Sequence, residues 1–201
     1  FNSLNSVQQY ILQGNVTEAN RYLSKFSKLQ REILHYSNEN FILLEKEIEI
    51  LDSYLQLEQL RFGESFTYII GVNEEVDPGE IKIPPMMLQP FAENAIWHGL
   101  MPKQGERNVE IRFSFHTDDI LLAVIRDNGI GREASAKLKQ NNGANAKQHE
   151  SKGMSLVHER MALLQQQYDN PFNAAASDIV DENGIVQGTE IILKIFIGDK
   201  N

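Results

Sequence analysis

Asp127, Asn128, Gly129, Ile130 and Gly131 come directly after the apolar run Ile120 to Ile125. A carboxylate at the end of a buried strand can face a pocket and accept a hydrogen bond from an amine, and two glycines let the backbone approach a ligand closely. The same residues also suit an ordinary Asp-Gly turn. Gly129, Gly131 and Ala134 match the relaxed spacing of a dinucleotide fingerprint, but a polar stretch fills the space where that motif needs a second strand and an acid about 20 residues on. Asn94 and His98 lie one helical turn apart in the segment Leu88 to Gly99. An amide oxygen can ligate Mg²⁺ and an imidazole can contact phosphate or carbonyl; alone, the pair is a helix with two polar residues. Gly153-Met154-Ser155-Leu156 reopens a helix after a polar loop, and the free N–H groups of a helix start suit phosphate oxygens. Gly188-Thr189 leads into the last strand candidate and, by itself, is a plain loop exit.

The elements that must position these residues divide at one place. All six prolines and twelve of thirteen glycines lie after Arg61, so residues 1–62 read as helical and 63–201 as mixed. Leu4, Val7 and Ile11 share a helical face before Gly14-Asn15, where Asn15 or Thr17 can cap the restart. Ala19, Tyr22, Phe26, Leu29 and Ile33 continue at helical spacing up to the polar Ser37 to Asn40. A third helix carries the seam Leu44, Ile48, Leu51 and Leu55, with Glu45, Lys46, Glu47, Glu49 and Asp52 assigned to the wet side. These helices form either an intramolecular hairpin or, the reading favoured here, a dimerising bundle.

Beyond Gly63 the period drops to two. Val109, Ile111, Phe113 and Phe115 alternate with polar residues, and Ile191, Leu193, Ile195 and Ile197 do the same. Ile120 to Ile125 reads as a more buried strand, and Phe66 to Val72 and Ile179-Val180 as weaker ones. Pro85 to Leu100 and Met154 to Tyr168 look helical, the first opening on prolines suited to a first turn. Without a regular βαβ rhythm, the expected class is α+β, with helices on one face of a sheet. Arg132 to Lys152 is polar and reads as a long lid or insert.

Composition removes several classes of function. The net charge of −9 and the absence of a basic run argue against a phosphate-backbone binder. Cysteine is absent, which excludes disulfides, thiol chemistry and cysteine-zinc sites. The five histidines, 35, 98, 116, 149 and 158, include no pair at helical ligand spacing. No window of eighteen apolar residues and no basic-plus-apolar leader is present. Because the chain opens on Phe1 in mid-helix, an upstream part is expected.

An Asn-bearing helix, Asp-x-Gly-x-Gly after a strand, a polar lid ending at a glycine, and Gly-Thr before a strand come in that order. The order resembles the GHKL, or Bergerat, ATP-binding fold of histidine kinases and gyrase. The segments PPMMLQPFAENAIWHGL, DNGIGR and GTEIILKI, preceded by LEKEIEILDSYLQLEQLRFG, resemble the LytS-type sensor histidine kinases, and Phe1-Asn2-Ser3-Leu4-Asn5 matches the residues immediately after the acceptor histidine in that family. The resemblance implies an α/β sandwich over residues 63–201 that binds ATP with Mg²⁺, and a helical dimerisation region over 1–62 that lacks the upstream phosphoacceptor. Asp127 would accept the adenine amine, Gly129 and Gly131 would shape the turn beneath the base, and Thr189 would support it. Asn94 would ligate Mg²⁺ with His98 nearby, and Gly153, with Leu156 in the same motif, would close the lid. The family further implies a homodimer that phosphorylates its own histidine and passes the phosphoryl group to a response-regulator aspartate, the regulator being of LytTR type. It implies a place on the cytoplasmic side of a bacterial inner membrane, held through segments preceding Phe1.

Three departures matter. Ser155 replaces the second lid glycine of many members. Trp97 stands where related kinases often carry lysine, which leaves Lys152 and Arg132 as candidate phosphate cations. Pro90 stands where the ATP-hydrolysing relatives carry a water-activating glutamate, so hydrolysis of the gyrase or MutL kind is disfavoured. Glu93 points about 100° away from Asn94 on the helix and is a poor substitute. His35 matches a non-acceptor stretch. A non-catalytic nucleotide-binding or dimerisation module is the remaining alternative.

Overall fold

The computed structural model describes residues 2–141 and 173–197. Helix α1 (Asn2–Leu12) ends at Gly14, and Asn15 caps α2 (Val16–Tyr36), its side chain accepting from the Glu18 N–H at 3.4 Å. Between the two cap candidates, Asn15 is the one that acts. α2 buries Ala19, Tyr22 and Leu29, and packs against both α1 and α3 (Leu44–Phe62). The Tyr10 hydroxyl donates to the Leu60 carbonyl, tying α1 to the end of α3. Ile11, Leu12, Val16 and Leu34 of the first two helices and their junction stay exposed.

Among the described residues the strands form two sheets. β1 (Ile42–Leu43) pairs antiparallel with β3 (Lys82–Ile83). The main sheet runs in the order β2-β4-β5-β7-β6, from β2 (Phe66–Val72), β4 (Arg107–Thr117), β5 (Ile120–Asp127), β7 (Val186–Phe196) and β6 (Asn173–Val180). Only the β2–β4 pair is parallel; the others are antiparallel. Alternation places Val109, Ile111, Phe113, Leu121, Ala123, Ile125, Leu193 and Ile195 in the core. Against the sheet lie α3 and the helix α4 (Gln89–Asn94), which runs on without a break into a π-helical turn, Ala95–Leu100. The fold is thus the mixed α+β arrangement expected, with helices beside a largely antiparallel sheet.

Several local expectations need correction. Glu47 does not face water: it is 1% exposed, and its carboxylate accepts the N–H groups of Met86 at 2.9 Å and Leu88 at 3.0 Å. Those bonds satisfy a carboxylate that burial would otherwise penalise. The seam of α3 is consequently wider than four leucine-type positions and includes Ile50, Tyr54, Leu57 and Glu58. The helix expected from Pro85 begins at Gln89. Pro84 and Pro85 stay outside it in a turn where Met86 holds φ 63°, and Pro90 occupies the first helical turn, where no N–H is needed. The first half of the expected lid is helix: Arg132–Asn141 forms α5, with Glu133 and Lys137 paired at 2.7 Å one turn apart. The remainder of that segment, and the expected helix Met154 to Tyr168, lie outside the described residues. β6 extends well beyond Ile179-Val180 because pairing with β7 carries Ala174, Ala175 and Ala176, which have little strand preference of their own.

Candidate functional site

Strands β5 and β7, the helix bearing Asn94, and α5 converge on one cleft of about 420 Å³. β5 ends in Asp127, which pairs in register with Thr189 on β7; both line the cleft and both are buried. The helix from Gln89 through the π-helical turn contributes Asn94 and His98 to the same cleft, so the two polar residues share a face as their spacing requires. α5 closes a third side with Arg132, Ser135 and Ala136.

Asp127 is 5% exposed and accepts the Gly129 N–H at 2.8 Å. Burial pushes its carboxyl up to about 6, against the lowering influence of the Gly129 and Thr189 N–H groups and of Lys103. Asn128 fixes the turn from outside: its side-chain oxygen accepts the Asn108 N–H at 2.8 Å, and its carbonyl accepts from the Lys103 ammonium at 2.5 Å. Gly129 lies directly on the π-helical turn. A Cβ there would stand 2.4 Å from the Gly99 carbonyl carbon, and the Ile130 N–H donates to the Gly99 carbonyl at 3.1 Å. Gly188 approaches from the other side, where a Cβ would come within 1.9 Å of the Asp127 carbonyl oxygen. The turn after β5 and the Asn-bearing helix are therefore in backbone contact.

A carboxyl held above its ordinary range favours the folded state only while protonated. Its contribution is present below about 4 and is lost as the pH rises through about 6. Asp127→Asn, which is neutral throughout, is expected to stabilise the chain by about 3 kcal/mol at pH 7.5 and to come close to the parent near pH 4. Urea unfolding at the two pH values reads the difference.

The other expected residues have varied places. Gly131 holds φ 81° and opens α5, accepting the Ser135 N–H through its carbonyl. Arg132 borders the cleft, but its guanidinium donates to the Ala176 carbonyl at 2.8 Å and its N–H to the Asp178 carboxylate at 2.9 Å, which docks α5 on β6. Lys152, Gly153, Ser155 and Leu156 lie outside the described residues. Trp97 does not line the cleft; the Arg61 guanidinium stacks over its ring at 4.1 Å. Glu93 is likewise absent from the lining and accepts from the Gln89 side chain at 2.8 Å, in a buried setting that raises its carboxyl.

Ser135, Gly99 and Ala176 line the cleft in addition to the residues expected there. A glycine inside an otherwise helical run signals close packing, and that signal is enough to mark Gly99. Ser135 lies one turn beyond Gly131 on a helix whose polar composition conceals it. Ala176 carries no signal.

The donor set suits a nucleotide carried with a hard cation. The cleft offers a buried acceptor at one place and one amide oxygen and one imidazole at another. Among the described residues no group of three His, Cys, Asp or Glu side chains could hold a metal. A cation here would take most of its oxygens from phosphates and water, as Mg²⁺ commonly does.

Residues 1–66 match the family described as Histidine kinase. The chain is 32% identical over 164 residues, 82% of its length, to the sensor histidine kinase YpdA of Escherichia coli, and covers 28% of that protein. It is 30% identical over 131 residues, 65% of its length, to the sensor protein LytS of Staphylococcus haemolyticus, and covers 22% of it. The chain thus spans about a quarter of the length of these curated relatives. Among solved structures it resembles the histidine kinase domain of the blue-light activated histidine kinase EL346 from Erythrobacter litoralis, with TM-score 0.52 at 13% identity, over 90% of this chain and 75% of that one. Among the described residues no helix is long and apolar enough to cross a membrane. With an ordered set of motifs, a cleft that gathers them, and relatives that share its sequence over most of its length, the chain belongs to the LytS-type histidine kinases.

Proposed function

We propose that residues 63–201 bind Mg-ATP and that residues 1–62 are part of a dimerisation and phosphoacceptor region, together forming the catalytic region of a two-component sensor kinase. The convergence of Asp127, Thr189, Asn94 and His98 on one cleft carries this reading. Asp127 accepts the adenine amine, a contact that requires an acceptor oxygen facing the cleft. Thr189 stands beside it to support the base. Asn94 would offer its amide oxygen to a Mg²⁺ ion carried with the phosphates, and His98, which lines the same cleft, would contact a phosphate oxygen. Mg²⁺ supplies neutralisation of phosphate charge when bound, and the chain's own work is orientation. Lys152, Gly153 and Leu156, which lie outside the described residues, would serve the phosphate side as the family resemblance implies, and Arg132 anchors α5 at the border of the cleft.

The acceptor in this reading is a histidine preceding Phe1, presented by the partner-forming helices of a homodimer at the cytoplasmic side of the bacterial inner membrane. From there the phosphoryl group passes to an aspartate of a response regulator, of LytTR type. Because Pro90 replaces the hydrolytic glutamate and Glu93 does not line the cleft, transfer is favoured over hydrolysis. The whole protein incubated with γ-labelled ATP is expected to gain one acid-labile, base-stable phosphoryl group. Steady ATP turnover without protein labelling would favour an ATPase of the gyrase kind, and neither label nor turnover a non-catalytic module.

A further inference from the structure

α3 grips the helix of Asn94 and His98 at both ends. In the first turn of α3, the Glu47 carboxylate holds the N–H groups of Met86 and Leu88, and so fixes the turn from which α4 departs. About 21 Å further along the α3 axis, Arg61 places its guanidinium between the rings of Trp97 at 4.1 Å and Phe62 at 4.4 Å. The same group reaches the Glu58 carboxylate at 2.6 Å and the Met101 sulfur at 3.9 Å. Between these anchors, the Tyr68 hydroxyl donates to Asp52 at 2.7 Å and ties the middle of α3 to β2.

The helix so gripped changes its winding at the site itself. It is α-helical through Asn94 and π-helical from Ala95 to Leu100, so the offset between Asn94 and His98 depends on a winding that is rare and usually confined to single turns. One anchor lies before the helix, at Met86 and Leu88, and the other holds Trp97 within the π-helical turn and Met101 just beyond it. Trp97 and His98 are neighbours in that turn, one seated under Arg61 and the other lining the cleft. The Arg61–Glu58 pair is largely buried, with side chains 12% and 7% exposed, which suits a fixed geometry better than an ion pair in water would.

We propose that Glu47 and Arg61 are positioning residues for the cation side of the nucleotide site, setting the placement of Asn94 and His98 through α4 and through Trp97. This rests on the reading of the cleft as a Mg-ATP site. Neither residue lines the cleft. Arg61 thereby brings a cation to the position where Trp97 replaces the family's lysine, but uses it to hold the helix.

Calorimetric titration of ATP, with Mg²⁺ and with a chelator, gives the affinity gained through the cation. Arg61→Met and Glu47→Gln are each expected to reduce that gain about tenfold or more, while affinity without Mg²⁺, which depends on Asp127, stays near the parent's. Arg61→Lys, which keeps a charge for Glu58 and for the ring, is expected to retain most of the gain. Trp97 is the only tryptophan, so acrylamide quenching without nucleotide should rise in Arg61→Met as the ring loses its cover. Tyr22→Leu, in the core between α1 and α2, is the control: it should lower stability and leave the gain intact. If Arg61→Met does not fold, Glu47→Gln decides alone. A parent that gains affinity from Mg²⁺ with variants that gain as much overturns the proposal, as does an equal loss in Tyr22→Leu. A parent that does not bind ATP removes the reading of the cleft and the proposal with it.

Discussion

Gly129→Ala is expected to abolish nucleotide binding and to cost about 3 kcal/mol of folding stability. The added Cβ would lie 2.4 Å from the Gly99 carbonyl carbon, 2.5 Å from its Cα and 2.6 Å from an Asp127 carboxylate oxygen. None of these can yield easily. Gly99 is backbone within the π-helical turn, and Asp127 is fixed by the Gly129 N–H and by the β5–β7 ladder. Relief requires the helix to lift from the turn, which breaks the Ile130 to Gly99 hydrogen bond and moves His98 relative to Asp127. Gly71→Ala is the comparison: its Cβ would meet nothing closer than 3.6 Å, and a change within about 0.5 kcal/mol is expected. Urea unfolding and calorimetry separate the two.

Asn94→Ala is expected to slow phosphoryl transfer at least about 100-fold, a loss of the size seen when one preorganised electrostatic contact is removed. The magnitude reflects the sparse donor set. Among the described residues no acidic or histidine cluster could hold the cation by itself, so the amide oxygen has no protein substitute. ATP affinity in a chelator should change little, since Asp127 and Thr189 remain. The change removes an amide that lines a solvent cleft and leaves the α4 backbone bonding intact, so stability should move by less than about 0.5 kcal/mol. Rapid-mix labelling of the whole protein measures the rate.

Much of the site is legible in the chain because its residues obey short-range rules. Asn94 and His98 are one turn apart, and Asp127 ends an apolar strand; both relations survive folding since each depends on a single element. Register is not legible in this way. The pairing of Asp127 with Thr189 spans more than sixty positions and is fixed by the β5–β7 ladder. Glu47 misleads because a charge among charges on a helix reads as solvent-facing, and only the turn at Met86 and Leu88 supplies the two N–H groups that let it be buried. α5 is concealed by polarity, although its alanines, lysines and Glu133–Lys137 pair favour helix without needing an apolar stripe. Arg61 likewise looks like an ordinary end of a helix; the stacking on Trp97 exists only across elements.

Isothermal titration of Mg-ATP into the chain and into Asp127→Ala tests whether this cleft holds an adenine nucleotide through Asp127. The expected result is one site on the parent, weaker binding of GTP, which has no amine at the corresponding ring position, and an affinity for ATP lowered at least about tenfold by the substitution. Equal binding of ATP by parent and variant, or no binding by the parent, would contradict it.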